Sequence, residues 1–324
     1  MKPKTKILAK SGKKSIGRYI VQFGEIIILT ILILLLPQQN VYLLRAYTET
    51  YAEKQTLLLP TPAPYPVNLH REEAPPISAY GTVIKDVASG VTLYEKNPEV
   101  RLFPASTTKI MTALVSLEDY HLEDPVTVKT VVTEGQVMGL TSGETLTVEN
   151  LLYGTLVHSA NDAAYALAEH HAGGVDGFIA RMNEKAGQLH LTGTHFTNPI
   201  GFDNALHYTT PKDLANLSLV ALKNQTLTKI VAVPQITISD TSYTHFHPLK
   251  NVNELLGKVP GVSGLKTGWT AIAGQALVTT VRRQDNEILI TLLKSDDRFK
   301  DTEQLLNWVF ANFEWKEFTP STGD

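Results

Sequence analysis

Serine and lysine are the residue types most able to do covalent chemistry in this chain, because its 324 residues include no cysteine. Thiolate nucleophiles, disulfides and Cys-ligated metal clusters are therefore excluded. A serine hydroxyl attacks efficiently only when a base takes its proton, and a lysine amine is such a base only when it is neutral. The spacing Ser-x-x-Lys occurs three times, at Ser11–Lys14, Ser106–Lys109 and Ser263–Lys266.

Sequence context singles out the second copy. Only Ser106 opens a predicted helix, in the stretch PASTTKIMTALVSLEDY. Residues i and i+3 share a helix face, so the Lys109 amine can reach the Ser106 hydroxyl. The serine N–H then lies among the unpaired donors of the first turn, where an oxyanion can be held. Burial and a second cation lower a lysine pKa, and Lys266 is the candidate cation. A capping serine beside a surface lysine is the structural alternative.

Two further motifs strengthen the catalytic interpretation. Ser159-Ala160-Asn161 is the only Ser-x-Asn, and it lies where a helical pattern breaks, a place suited to presenting side chains into a cleft. Lys266-Thr267-Gly268 is the only Lys-Thr-Gly, and it lies on a predicted strand where glycine lets a substrate backbone approach. In this order the three motifs form the set found in penicillin-binding proteins and class A β-lactamases.

The elements that must position these motifs predict an α+β domain. AYGTVIKD and VTLYEKN read as two strands around a turn, and the middle of the chain reads as helices. Four strand patterns follow residue 234, and FKDTEQLLNWVFANF closes the domain as an amphipathic helix. A sheet with helices packed against it is the expected architecture.

Residues 79–313 resemble the low-molecular-mass penicillin-binding proteins that are serine-type D-alanyl-D-alanine carboxypeptidases. Flanking blocks carry the resemblance beyond the three motifs: FPASTTKIMTA, TVENLLYG, VHSANDAA, FTNPIGFD and GLKTGWT. The resemblance implies the DD-peptidase/β-lactamase-like fold, in which an antiparallel sheet is flanked by helices with a helical subdomain. The catalytic domain is expected over residues 79–318.

The resemblance also implies catalytic roles for four residues. Ser106 is the nucleophile that becomes acylated. Lys109 is the general base, for acylation and then for the deacylating water. Ser159 relays a proton towards the leaving D-alanine. Asn161 hydrogen-bonds a substrate amide and steadies Lys109.

Five further residues are implied to bind substrate. Lys266 supplies positive potential, and Thr267 contacts the substrate carboxylate beside Gly268. The backbone N–H of Trp269 forms an oxyanion hole together with that of the nucleophile. Arg298, before the final helix, is the candidate for binding the terminal carboxylate, although no short motif fixes this assignment.

The implied reaction is hydrolysis of the terminal D-Ala from peptidoglycan stem pentapeptides, in cell-wall synthesis and the control of cell shape. β-Lactams would acylate the same serine, and neither a cofactor nor a metal is implied. Transfer to an amine instead of water shares the first half-reaction and stays open. A class A-like β-lactamase is an alternative, but no Glu-x-x-x-Asn block lies between Asn161 and Lys266. A catalytically silent, membrane-tethered wall-binding protein is another, and the intact motifs argue against it.

The amino-terminal charge pattern predicts a membrane tether. Residues 1–19 hold seven of the 29 basic residues and no acid, and an apolar anchor over 20–37 is followed by a proline-rich linker over 38–78. The positive-inside rule places the arm in the cytoplasm and the catalytic domain outside. A cleaved signal peptide is the alternative, and it also exports the domain. Without the arm, 22 basic residues face 32 acidic ones, a net charge of −10 that argues against nucleic acid.

Overall fold

The computed structural model describes residues 24, 25, 27, 28, 31 and 64–317. The predicted basic arm, most of the predicted anchor and most of the linker lie outside these residues, so they stay predictions. Among the residues that are described, no helix is both long and apolar enough to cross a bilayer. The chain divides into two compact units, Met1–Thr61 and Pro62–Asp324, and the second carries the folded domain.

A five-stranded antiparallel sheet, in the order β3-β2-β10-β9-β8, forms the frame of this domain. Its strands are β2 (Gly81–Asp86), β3 (Thr92–Lys96), β8 (Lys266–Thr270), β9 (Gly274–Arg283) and β10 (Asn286–Ser295). The predicted turn between β2 and β3 and the final antiparallel strands are confirmed. Because β8 is an edge strand, one side of the Lys-Thr-Gly motif is free of a neighbouring strand.

Seven α-helices cover the two faces of the sheet within residues 64–317. They are α1 (Lys109–Asp119), α2 (Val148–Leu156), α3 (Asn161–Glu169), α4 (Gly174–Gln188), α5 (Pro211–Ala221), α6 (Gln225–Val231) and α7 (Arg298–Asn312). The apolar side chains of α1–α6 pack on one face, and those of α7 pack on the other. Neighbouring residues Leu289 and Ile290 of β10 therefore belong to different hydrophobic cores, since successive strand side chains point to opposite faces. The α+β prediction is confirmed.

Three small antiparallel pairs complete the domain. They join β1 (Tyr65–Asn68) to β11 (Phe313–Lys316), β4 (Pro125–Thr127) to β5 (Thr145–Thr147), and β6 (Gln235–Ser239) to β7 (Phe246–Lys250). The linker predicted over 38–78 is wrong at its carboxyl end, because β1 belongs to the folded domain. Alternating prolines favour an extended backbone, and an edge strand tolerates Pro66 as well as a linker does. The sequence pattern therefore does not distinguish an extended linker from an edge strand.

Candidate active site

Ser106 lies in a 3₁₀ turn, Ala105–Thr108, directly before α1. The sequence predicted that Ser106 opens the α-helix itself, which instead begins at Lys109. Ser106 and Lys109 are still paired, because side chains at i and i+3 lie one above the other in a 3₁₀ turn. Lys109 Nζ lies 3.0 Å from Ser106 Oγ. Ala105 has a φ of 48°, a conformation that a non-glycine residue holds only when its surroundings impose it.

The Lys109 amine is fully buried beneath the serine. Its Nζ donates to Asn161 Oδ1 and to the Ile200 carbonyl, both at 2.7 Å. Burial lowers the pKa of Lys109 to about 7, against the opposing influence of the Asp162 carboxylate. In the neutral form two N–H groups serve those two oxygens, which leaves the nitrogen lone pair to face Ser106. Lys109 is thus arranged to take the serine proton near neutral pH.

Asn161, the first residue of α3, is held by residues 134–140, a segment for which the sequence patterns predict no role. Its Nδ2 donates to the Glu134 carbonyl at 2.9 Å and its backbone N–H donates to the Gln136 carbonyl at 2.7 Å. The buried Asp162 carboxylate accepts from the N–H groups of residues 138–140. These contacts fix the Asn161 amide so that its oxygen faces Lys109. Every residue type has a backbone carbonyl, so the sequence does not show which carbonyls act in the site. Only the glycines of this segment could have indicated its role.

The Ile200 carbonyl is positioned by a second segment, residues 198–202. Asn198 Oδ1 accepts from the N–H groups of Ile200, Gly201 and Phe202. Gly201 has a φ of 94°, and a Cβ added there would lie 1.9 Å from the Ala105 carbonyl oxygen. Only glycine therefore lets this segment approach the turn that carries Ser106. In the sequence, the block FTNPIGFD carries the family resemblance but predicts no role for the Ile200 carbonyl.

Ser159 and Lys266 form a second hydroxyl–amine pair. Ser159 lies between α2 and α3 with a φ of 61°, and its Oγ accepts from Lys266 Nζ at 2.8 Å. Burial, and then the charges of Lys109 and Arg298, lower the pKa of Lys266. The sequence predicts that burial and the Lys266 cation both lower the pKa of Lys109; burial is the principal cause. The two buried lysines therefore disfavour a state in which both are charged.

Strand β8 lies directly over the nucleophile. A Cβ added at Gly268 would lie 3.0 Å from the Ser106 backbone nitrogen. Thr267 is buried, whereas the Trp269 side chain is 65% exposed at the rim. Arg298, the first residue of α7, donates from Nη1 to the Gly268 carbonyl at 2.7 Å. The predicted Arg298 therefore does lie beside the Lys-Thr-Gly strand.

The nine predicted site residues converge on one cleft of about 780 Å³. Seven of them line it: Ser106, Ser159, Asn161, Thr267, Gly268, Trp269 and Arg298. The other two are the buried lysines, which reach the serine hydroxyls from beneath. A serine hydroxyl hydrogen-bonded to a neutral amine, beside a second hydroxyl and a cation, can form and break an acyl ester.

A buried histidine supports the back of the catalytic turn. His207 Nδ1 accepts from the Thr197 N–H at 2.9 Å, so its Nε2 carries the proton and donates to Thr108 Oγ1 at 2.8 Å. Burial lowers the pKa of His207 to about 4, which keeps the ring neutral. In the part of the chain that the structure describes, no three His, Asp or Glu side chains are grouped to hold a metal ion.

Comparisons with known proteins agree with this geometry. The family model for D-alanyl-D-alanine carboxypeptidases matches residues 68–296. A D-alanyl-D-alanine carboxypeptidase from Streptomyces sp. (strain K15) is 34% identical over 258 residues, covering 73% of this chain and 89% of that protein. The carboxypeptidase DacF of Bacillus subtilis (strain 168) is 31% identical over 246 residues, which are 73% of this chain and 63% of DacF. The crystal structure of the Streptomyces K15 DD-transpeptidase matches with a TM-score of 0.70 at 34% identity, covering 74% of this chain and 100% of that one.

We expect Gly135→Ala to slow acylation of Ser106 at least tenfold. Gly135 has a φ of 75°, and an added Cβ would lie 2.6 Å from Asn161 Nδ2, so the amide that orients Lys109 must move. The matched control is Gly139→Ala, at a φ of 87° with no atom within 4 Å of the added Cβ. Both variants carry about 1–2 kcal/mol of backbone strain. The acylation rate constant with a fluorescent penicillin, measured on variants shown folded by thermal melting, separates the two. Equal rates for both would contradict the role of this segment.

Proposed function

The chain belongs to the D-alanyl-D-alanine carboxypeptidase family, and on that premise we propose that its domain hydrolyses the terminal D-Ala from peptidoglycan stem pentapeptides. The observation that carries the proposal is the buried Lys109 amine, 3.0 Å from Ser106 Oγ with its other two acceptors already in place. This arrangement activates a serine without a histidine. The product of the first step is an acyl-enzyme on Ser106.

Acylation proceeds by one attack and one proton relay. Ser106 Oγ attacks the carbonyl of the penultimate D-Ala while neutral Lys109 accepts the hydroxyl proton. The oxyanion lies between the backbone N–H groups of Ser106 and Trp269. As the C–N bond breaks, Ser159 passes a proton to the departing D-Ala nitrogen and is supplied in turn by Lys266, which donates to it at 2.8 Å. Lys109 then releases the Ser106 proton to solvent and Lys266 regains one from it, which returns both amines to their starting states. In deacylation, neutral Lys109 takes a proton from the attacking water and returns it to Ser106 Oγ as the ester bond breaks.

The cationic end of the cleft suits the free carboxylate of the terminal D-Ala. Arg298 is held against β8 by the Gly268 carbonyl, next to the Thr267 hydroxyl that lines the same cleft. A bound carboxylate near Lys266 favours the charged form of the amine and so raises its pKa. Binding of the substrate carboxylate therefore stabilises the charged form of Lys266, which burial disfavours in the free enzyme.

The alternatives receive less support. The two hydroxyl–amine pairs are intact, which argues against a catalytically silent wall-binding protein. A class A-like β-lactamase is not favoured by the family match. We expect β-lactams to acylate Ser106 and to remain bound as slowly released esters. Transfer of the acyl group to an amine is compatible with the similarity to a protein called a DD-transpeptidase.

Replacement of the nucleophile tests the proposal directly. We expect Ser106→Ala to lower D-alanine release from diacetyl-Lys-D-Ala-D-Ala at least 10³-fold, because the residual binding site lacks the attacking oxygen. Ser263→Ala, in the third Ser-x-x-Lys copy, is the matched control and should release D-alanine at the rate of the unmodified chain. Mass spectrometry of the penicillin adduct locates the ester. An equal adduct on Ser106→Ala would overturn the proposal.

The acylation rate should depend on pH through Lys109. The pKa of Lys109 is lowered to about 7, so the amine is mostly protonated below that pH and mostly neutral above it. We expect the second-order acylation rate constant to rise about tenfold per pH unit below 7 and to level off above 8. The control is His158→Gln, which changes the residue next to Ser159 and leaves Lys109 in place; it should keep the same profile. A flat profile from pH 5.5 to 9 would contradict Lys109 as the base.

We also propose that residues 20–37 anchor the chain in the cell membrane with the domain outside the cytoplasm, in keeping with a role in cell-wall synthesis and cell shape. The basic arm and the apolar run support this topology, as does a substrate class found outside the membrane. We expect the full chain to stay with washed membranes and its domain to be cut by protease added to spheroplasts. A chain lacking residues 1–37 should stay in the cytoplasm. Full-length protein in the soluble cytoplasmic fraction would rule the anchor out.

A further inference from the structure

A second buried histidine, His247, lies outside the cleft and has no part in the hydrolysis proposed above. It belongs to β7, whose side chains alternate: His247 and Leu249 are buried, whereas Phe246, Pro248 and Lys250 are exposed. A buried polar ring needs partners for both of its nitrogens, and the identity of those partners shows what the ring holds in place.

Both ring nitrogens of His247 contact one loop of the chain. Nδ1 lies 3.1 Å from the Met138 carbonyl oxygen, and Nε2 lies 2.6 Å from Glu144 Oε1. A carbonyl oxygen can only accept, so Nδ1 carries a proton and donates to Met138. The ring and the Glu144 carboxyl group share a second proton. The ring of His247 therefore connects β7 to two points of the loop that joins β4 to β5.

The buried side chain of Glu144 fixes the orientation of the ring. Its Oε1 contacts His247, and its Oε2 accepts from the Thr141 N–H at 2.9 Å and from Thr141 Oγ1 at 3.1 Å. A buried carboxyl group is stable only when its oxygens have such partners. Glu144 thus anchors one side of the imidazole, and the other side faces Met138.

Met138 is held from two sides. Residues 128–144 form no helix or strand, so this loop depends on individual hydrogen bonds for its position. The Met138 N–H donates to the Asp162 carboxylate at 3.1 Å, and among residues 64–317 only His247 donates to its carbonyl. Asp162 is the neighbour of Asn161 on α3, so it cannot fix the loop independently of Asn161. The contact from β7 supplies that independent restraint.

A shift of Met138 would reach the base through two residues. The Gln136 carbonyl accepts from the Asn161 N–H at 2.7 Å, and the Glu134 carbonyl accepts from Asn161 Nδ2 at 2.9 Å. Asn161 Oδ1 in turn accepts from Lys109 Nζ at 2.7 Å. Movement of residues 134–138 would therefore turn the Asn161 amide and with it the lone pair of the Lys109 amine.

We propose that His247 is a positioning residue for acylation, acting through the Met138 carbonyl to keep Asn161 aimed at Lys109. This inference rests on the proposed acyl-enzyme at Ser106. His247 makes and breaks no bond in the reaction. Its contact with Glu144 contributes to stability, whereas its contact with Met138 contributes to the rate of acylation.

Two amide substitutions separate the two contacts. The amide nitrogen of asparagine takes the place of Nδ1, so His247→Asn keeps a donor for Met138 and loses the one for Glu144. The amide nitrogen of glutamine takes the place of Nε2, so His247→Gln keeps the donor for Glu144 and loses the one for Met138. His245→Gln is the matched control, because His245 lies in the turn before β7 with its side chain 53% exposed.

The experiment measures the melting temperature of each variant and its acylation rate constant with a fluorescent penicillin. The rates are taken at about pH 8.5, where Lys109 is mostly neutral, so that its protonation does not enter the comparison. We expect His247→Gln to acylate about tenfold more slowly than the unmodified chain, because the base is misaligned. His245→Gln should match the unmodified chain in both measurements.

The other substitution should reverse this order. We expect His247→Asn to acylate within about twofold of the unmodified chain and yet to melt at a lower temperature than His247→Gln, because a hydrogen bond to a carboxylate is stronger than one to a carbonyl. Glu144→Gln also keeps the Met138 contact, and it serves in the same way if His247→Asn does not fold.

A positioning role and a purely structural role differ in this comparison. Acylation rates that follow the melting temperatures, or a His247→Gln chain that acylates as fast as the control, would overturn the inference alone. A His247→Gln chain that does not fold would also overturn it, because stability would then explain the residue. If penicillin does not acylate Ser106 of the unmodified chain, the proposed function and this inference fail together.

Discussion

A lysine amine removed from water beneath a serine hydroxyl is the constraint on which the rest of this structure depends. A buried ammonium is costly, so the amine must be neutral or fully hydrogen-bonded. Its three partners come from distant parts of the chain, at Ser106, Asn161 and the Ile200 carbonyl. The core between the sheet and helices α1–α6 holds these segments in contact. Reactivity at the serine is therefore a property of the assembled domain.

The sequence predicted the side chains of the site well and its backbone poorly. Ser106, Lys109 and Lys266 were found because hydroxyl and amine chemistry requires particular residue types at particular spacings. The segments around Glu134 and Ile200 were missed because they act through carbonyl groups that every residue possesses. The α+β architecture followed from patterns of apolar residues, whereas the 3₁₀ turn and strand β1 depend on tertiary contacts that no local pattern encodes.

Backbone strain is present at both serine sites, as it is at six other non-glycine positions with positive φ among the described residues. Ala105 and Ser159 both have positive φ values, although neither is glycine. Each costs on the order of 1–2 kcal/mol, which the surrounding packing must offset. Glycines occupy the neighbouring positions where backbones meet, Gly201 against Ala105 and Gly268 against Ser106. The glycines thus allow the backbone segments to approach closely, and the hydrophobic cores hold the strained turns in place.

Helix α7 sets the distance between the cleft and the point where the chain enters the domain. Its first residue, Arg298, reaches into the catalytic cleft, and after its last residue, Asn312, strand β11 pairs with β1. Fifteen helical residues span about 22 Å at 1.5 Å per residue. The catalytic cleft and the β1–β11 pair therefore lie near opposite ends of α7. The helix that holds Arg298 in the cleft thus also separates the cleft from the strand pair that contains the first strand of the domain.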